Sequence, residues 1–353
     1  LATPSRLVDT RSSALPPGRN RLLGVQVTGR SGIPADATAA VVTATAVNPC
    51  ADTYLTVFPC GSAPPTASAV NLGAGATVAN GAVVRLSDSG ALCVFSEQHT
   101  DVLIDVTAWI GPGGSGATAL VPARLVDTRP DARQLLDSPK RRIKALTVLS
   151  VATAASGLTA GADTVAVNLT AASPGAAGYL TLFPGPCTAT PPTASNLNVE
   201  AGRTAAAGAV TAVGPDGSLC VFSSVDTDVI VDLDSVNTVD GKPIRAISPL
   251  RLYDSRQAPR ARPVESGEMV VLEIPADASG AVLNVTAAAP SGDGYVTVAP
   301  CSAGDLPYVS NLNLSTARTV ANLVVVSANE DRRICLRSTA ATHLLVDVEA
   351  WVG

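Results

Sequence analysis

Arg6-Leu7-Val8-Asp9-Thr10-Arg11 returns as Arg124-Leu125-Val126-Asp127-Thr128-Arg129 and again as Arg251-Leu252-Tyr253-Asp254-Ser255-Arg256. One pattern, R-L-x-D-[TS]-R, opens three copies of a single unit, and an internal repeat constrains a fold before any local propensity does. Further landmarks follow in the same order in every copy. A Val/Ala/Thr-rich stretch lies at residues 41–45, 165–170 and 281–286. A tyrosine strand leading to a cysteine lies at 54–60, 179–187 and 295–301. Next come Ser68-Ala69-Val70-Asn71, Ser195-Asn196-Leu197-Asn198 and Ser310-Asn311-Leu312-Asn313. A second cysteine strand carries Cys93, Cys220 and Cys335, and each copy closes on an acid set among apolar residues: Asp105, Asp232 and Asp347.

The repeat length fits three domains of ordinary size in 353 residues, and with 46% of residues hydrophobic each has material for a core. Charged residues make up 15% and the net charge is −5, so the basic stripe that nucleic acid requires is missing. No apolar run reaches membrane-spanning length. The chain opens almost directly on its first repeat, so if it is exported its leader is expected to have been removed.

Each unit breaks into about eight short Val/Thr-rich runs separated by Gly/Pro turn signals, and none shows sustained helical periodicity. The expected fold is all-β with almost no helix: three tandem homologous β-sandwich (jelly-roll/Ig-like) domains. Their expected bounds are 1–111, 120–237 and 248–353. A Gly/Ser-rich linker is expected over 112–119 and a second over 238–247. Linkers this short permit either beads on a string or a packed pseudo-three-fold cluster.

Six of the seven cysteines recur at matching positions, separated by 33, 33 and 34 residues, which pairs Cys60 with Cys93, Cys187 with Cys220 and Cys301 with Cys335. No C-x-x-C and no histidine companion favours zinc. Disulfides imply an oxidising, extracellular setting. Cys50 has no repeat partner and reads as an unpaired, partly buried thiol, with local rearrangement or a link to another chain as the alternatives.

An ionised acid inside an apolar strand needs a partner. The arginines of the opening motif suggest an Asp–Arg network joining the first and last strands of each unit. Its members would be Asp9, Arg11 and Asp105; Asp127, Arg129 and Asp232; and Asp254, Arg256 and Asp347. A paired-carboxylate catalytic or calcium site is the competing reading. Little else speaks for an enzyme. His99 and His343 are not equivalent, and no nucleophile-elbow, zincin, P-loop or dinucleotide motif appears. No catalytic residue, metal or cofactor is expected. Three N-x-[ST] sequons, at Asn168, Asn284 and Asn313, fall inside predicted strands. Tyr54, Tyr179 and Tyr295 begin equivalent strands, and Trp109 and Trp351 end equivalent ones. These aromatics read as core-rim packing or as a sugar-stacking platform.

The combination of R-L-x-D-T-R, S-N-L-N and a closing V-x-V-D-V resembles a repeat of secreted and cell-surface proteins of actinobacteria, across nearly the whole chain. Repeat one departs from it at Ala69-Val70. The closing G-Y-F of the family is here Ala108-Trp109-Ile110, Ser235-Val236-Asn237 and Ala350-Trp351-Val352. The resemblance implies extracellular display and no defined activity. The expected role is a secreted, non-catalytic structural or assembly protein that contacts other copies of itself or other extracellular proteins, with carbohydrate binding to a wall or environmental polysaccharide as the alternative.

Overall fold

The computed structural model describes residues 4–12, 21–132, 139, 141–153, 160–257, 259, 261–302, 304, 306–307 and 309–353. Repeat one forms β1 (Ser5–Asp9), β2 (Arg21–Gln26), β3 (Ala39–Val47), β4 (Thr53–Pro59), β5 (Val70–Leu72), β6 (Thr77–Arg85), β7 (Ala91–Ser96) and β8 (Asp101–Ile110). Repeat two forms β9 (Gly116–Asp127), β10 (Thr147–Ala152), β11 (Thr164–Ala172), β12 (Gly178–Pro184), β13 (Leu197–Val199), β14 (Ala205–Ala212), β15 (Ser218–Ser223) and β16 (Asp228–Thr238). Repeat three forms β17 (Ile244–Asp254), β18 (Met269–Glu273), β19 (Gly280–Ala288), β20 (Gly294–Pro300), β21 (Leu312–Leu314), β22 (Val320–Ser327), β23 (Arg333–Ser338) and β24 (His343–Val352). The helical content of the described residues is a single 3-10 turn at Thr10–Ser12.

The strands make six four-stranded sheets. In repeat one their orders are β1-β8-β3-β6 and β2-β7-β4-β5, and the other repeats follow suit. The expectation of three tandem β-sandwich (jelly-roll/Ig-like) domains is therefore corrected. The molecule is a propeller-like body of six small sheets, two from each repeat, whose strands are drawn from non-consecutive positions.

The physical reason is visible in the central strands. β3 and β19 are buried along nearly their whole length, on both faces. One face joins its own repeat's cluster, such as Ala40, Val42 and Ile104 in repeat one. The other meets neighbouring repeats in a shared cluster of Val41, Val83, Ala166, Val282, Leu323, Val325 and Ala350. A strand apolar on both faces cannot leave one in water. The repeats therefore close on one another.

At the centre the backbones come close. A side chain at Gly81 would strike the Gly208 carbonyl, and one at Gly208 would strike that of Leu323. Half of each expected linker is strand: β9 begins at Gly116, β16 runs to Thr238 and β17 starts at Ile244. They clasp each other. Ala117 and Lys242 exchange backbone hydrogen bonds of 2.7 and 2.9 Å, and Gly116 packs on Gly241 where no Cβ fits.

Candidate functional site: the junctions between repeats

The buried acids are held by the first arginine of the opening motif. Arg6 Nε and Nη2 donate to Asp105 at 2.7 and 2.9 Å, and its Nη1 donates to Asp9 at 3.2 Å. Arg124 does the same for Asp232 (2.8 and 3.2 Å) and Asp127 (3.0 Å), as does Arg251 for Asp347 and Asp254. Arg11, Arg129 and Arg256 instead form an outer clasp on Asp9, Asp127 and Asp254. The expected network is thus corrected in its central member. Simple strand alternation would place Arg6 and Asp9 on opposite faces. A register shift between Arg6 and Val8, followed by the 3-10 turn, brings them together.

The fifth motif position closes the same corner. Thr10, Thr128 and Ser255 accept the N–H of Val102, Val229 and Leu344. The Arg11 bonds hold the Asp9 carboxyl down at about 2. Burial pushes Asp232 and Asp347 above the usual carboxylate range despite their arginines.

Arg6 and Arg251 also reach across the junctions, to the backbone carbonyls of Thr193 and Thr66 in the adjoining repeats, at 3.4 and 3.1 Å. The motif therefore sits where repeats meet. A polar seam continues inward. Asn80 donates to Asn284 at 2.9 Å, and Asn322 donates to Asn168 at 2.8 Å. Leu323 N–H donates to Asn80 at 3.1 Å. Asn168 and Asn284, both 1% exposed, are structural and out of reach of glycosylation. Glu349, missed in the sequence, is 3% exposed and accepts the N–H of Val83 at 2.7 Å across the junction of repeats three and one. Burial pushes its carboxyl up to about 8. Asp234, its counterpart in repeat two, is raised well above the ordinary range by burial and by Asp232. The signal was an acid two residues beyond the repeated aspartate.

Two clefts open at these junctions. One, of 510 Å³, lies between repeats two and three, with Arg124, Arg129, Arg203, Asp293, Tyr295 and Asn313 in its walls. The other, of 490 Å³, draws on all three repeats through Tyr54, Asn71, Asn198, Glu200, Arg318 and Asn322 among others. They share Arg203, Thr204, Asn313 and Ser315, so they adjoin, and the two together make a trough along the junctions. Tyr179 is 36% exposed and rests against Phe222, as Tyr54 rests against Phe95. Trp109 and Trp351 pack against the repeat cores and line neither cleft.

Three disulfides are present: Cys60–Cys93, Cys187–Cys220 and Cys301–Cys335. They suggest an oxidising or extracellular environment. Cys50 is exposed rather than partly buried, and it has not rearranged with Cys60, which is already bridged. Among the described residues no cluster of three His, Cys, Asp or Glu side chains is placed to hold a metal, and no helix is long and apolar enough to cross a membrane.

No family model matches the chain. No curated protein matches it either. Solved structures overlap it slightly. One is from work entitled "Life in the extremes: atomic structure of Sulfolobus Turreted Icosahedral Virus", at 11% identity and TM-score 0.22, covering 96% of this chain and 85% of that one. Another, described as a triple jelly roll fold in an archaeal virus, overlaps at 11% identity and TM-score 0.23, covering 96% and 84%. A third is the CBM22-1-CBM22-2 tandem domain of Paenibacillus barcinonensis Xyn10C, at 12% identity and TM-score 0.20, covering 68% and 95%. Overlaps this slight say nothing of what this chain does.

Proposed function

We propose that this chain is a non-catalytic extracellular module that binds carbohydrate in the trough where its repeats meet. The observation that carries the reading is the make-up of that trough. A half-buried tyrosine, Tyr295, stands beside Asp293, Asn313 and several arginines in a cleft of 510 Å³, within the usual size of ligand sites. An aromatic face for the apolar side of a sugar, ringed by planar donors and acceptors for its hydroxyls, is what saccharide recognition requires. The setting we propose is the bacterial cell surface, which the resemblance of the repeats implies. The test is a glycan array with the intact chain, followed by titration calorimetry on any hit. Selective binding that is weakened at least tenfold by Tyr295→Ala is expected (about 1.4 kcal/mol). No binding to any glycan, or binding indifferent to Tyr295→Ala, refutes it.

Structural assembly is the second reading. What favours it is the outward edge of β18, where Met269 is 38% and Val271 50% exposed, with Leu22 of β2 at 55%. It ranks second because the repeats already bury their broad apolar faces against one another. Negative-stain microscopy over a concentration series separates the two: ordered polymers would favour assembly, a dispersed monomer the binding module.

A further inference from the structure

The three junctions are unequal. After a glycine or alanine held at positive φ (Gly75, Gly202, Ala317), repeat two places Arg203 and repeat three Arg318, where repeat one has Ala76. Two residues before the strand tyrosine, repeats one and three have Asp52 and Asp293, where repeat two has Ala177. The junction of repeats two and three therefore combines Arg203 with Asp293 and Tyr295.

Its charges differ in availability. Arg124 is committed to two buried acids, and Arg129 grips Asp127. The Oδ1 of Asp293 accepts the Thr316 N–H at 3.0 Å. Among the described residues Arg203 is held by Glu200 alone, at 3.4 Å, with both side chains nearly half exposed at 45% and 43%. Glu200 has a better partner in Arg318 at 2.8 Å. Exposed pairs of this kind contribute little, so an incoming carboxylate exchanges with Glu200 at little cost. Arg203 stands in the wall of both clefts. Asn313 also lines both clefts, and among the described residues its buried Oδ1 has no hydrogen-bond partner. A buried acceptor left unpaired is costly, and a donor hydroxyl on a ligand removes that cost.

Resting on the carbohydrate reading above, we infer that the trough is specific for an acidic oligosaccharide. Its uronic acid carboxylate takes the Arg203 guanidinium in a forked pair. A neighbouring hydroxyl pairs with the Asn313 side chain, whose amide turns its Oδ1 out of the buried position to meet it, and the adjoining sugar lies on Tyr295.

The probes are tetragalacturonate and the neutral maltotetraose, titrated into the intact chain and into Arg203→Gln, Asn313→Asp and Arg318→Gln. Arg203 is exposed, so its replacement leaves the fold intact, which circular dichroism checks. The acidic tetrasaccharide should bind at least tenfold more tightly than the neutral one, weaken with added salt, and lose roughly tenfold with Arg203→Gln (about 1.4 kcal/mol). Asn313→Asp should weaken it as well, by setting a carboxylate beside the ligand's own. Equal affinity for both probes, unmoved by Arg203→Gln, overturns the acidic assignment and leaves the carbohydrate reading standing. Loss with Arg318→Gln alone also overturns it, by moving the site to the 490 Å³ cleft. No binding of either probe overturns the inference, and the array then decides the broader reading.

Discussion

Glu349→Gln should flatten a specific part of this protein's pH–stability profile. Glu349 is buried at the junction of repeats three and one, where it accepts the Val83 N–H, with Asp347 two residues away on the same strand. Burial raises its carboxyl from 4.5 to about 8. The neutral form is the one the fold favours. Below 4.5 the acid is neutral folded and unfolded, and its contribution is fully present. As pH rises from there toward 8, the unfolded chain releases the proton and the folded chain keeps it, so stability falls until Glu349 ionises within the fold. The displacement from 4.5 to about 8 corresponds to roughly 5 kcal/mol over that window. Glutamine keeps an acceptor for Val83 and cannot ionise. Asp232, Asp234 and Asp347 are raised by burial as well and act in the same direction. They remain in the variant, so the difference between the two proteins isolates Glu349. Urea unfolding followed through Trp109 and Trp351 fluorescence, at steps between about pH 4.5 and 8, measures it. The variant and wild type should agree at the acid end and diverge by several kcal/mol, in the variant's favour, at the alkaline end. Parallel curves across the window would refute the reasoning.

Other outcomes follow from the same contacts. Arg124→Ala strands Asp232, which is 1% exposed, and should cost about 3–5 kcal/mol by chemical denaturation. Arg129→Ala removes the outer clasp on Asp127 while Arg124 still holds that carboxylate, and should cost less than Arg124→Ala; equal losses would mean that the two arginines share one role. Gly208→Ala drives a methyl into the Leu323 carbonyl and should cost about 1–3 kcal/mol, seen as a lower Tm and a larger radius in small-angle scattering if the centre opens. Replacing Cys187 and Cys220 together by alanine opens a loop of 33 residues and should lower stability by about 3–4 kcal/mol, read from the Tm. An unchanged Tm would show that the sheets hold this repeat without the bridge.

The repeat made much of the local structure legible. R-L-x-D-[TS]-R, the matched cysteine spacing and the period-2 apolar runs are short-range patterns, and strands, turns and bridging distances depend on short-range chemistry. The acids that need partners were legible for the same reason: Asp105, Asp232 and Asp347 sit in strands too apolar to leave them solvated. Which arginine serves them was not. One register shift after Arg6 reverses the face that alternation assigns, and a shift of that kind is set by how β1 docks on β8.

The closure of three repeats into one six-sheet body was also beyond the sequence taken alone. Residues 38–47 read as a buried strand from their Val, Ala and Thr content, and that composition does not say whether the second face is covered by their own repeat or by another. Tertiary packing decided that. It turned Gly81 and Gly208 into contact points, sequon asparagines into cross-repeat donors and acceptors, and the unremarked Arg203, with the sequon Asn313, into walls of a shared trough. Strand identity follows from neighbours along the chain. The trough depends on residues from different repeats, over a hundred positions apart, whose proximity only the closed centre supplies.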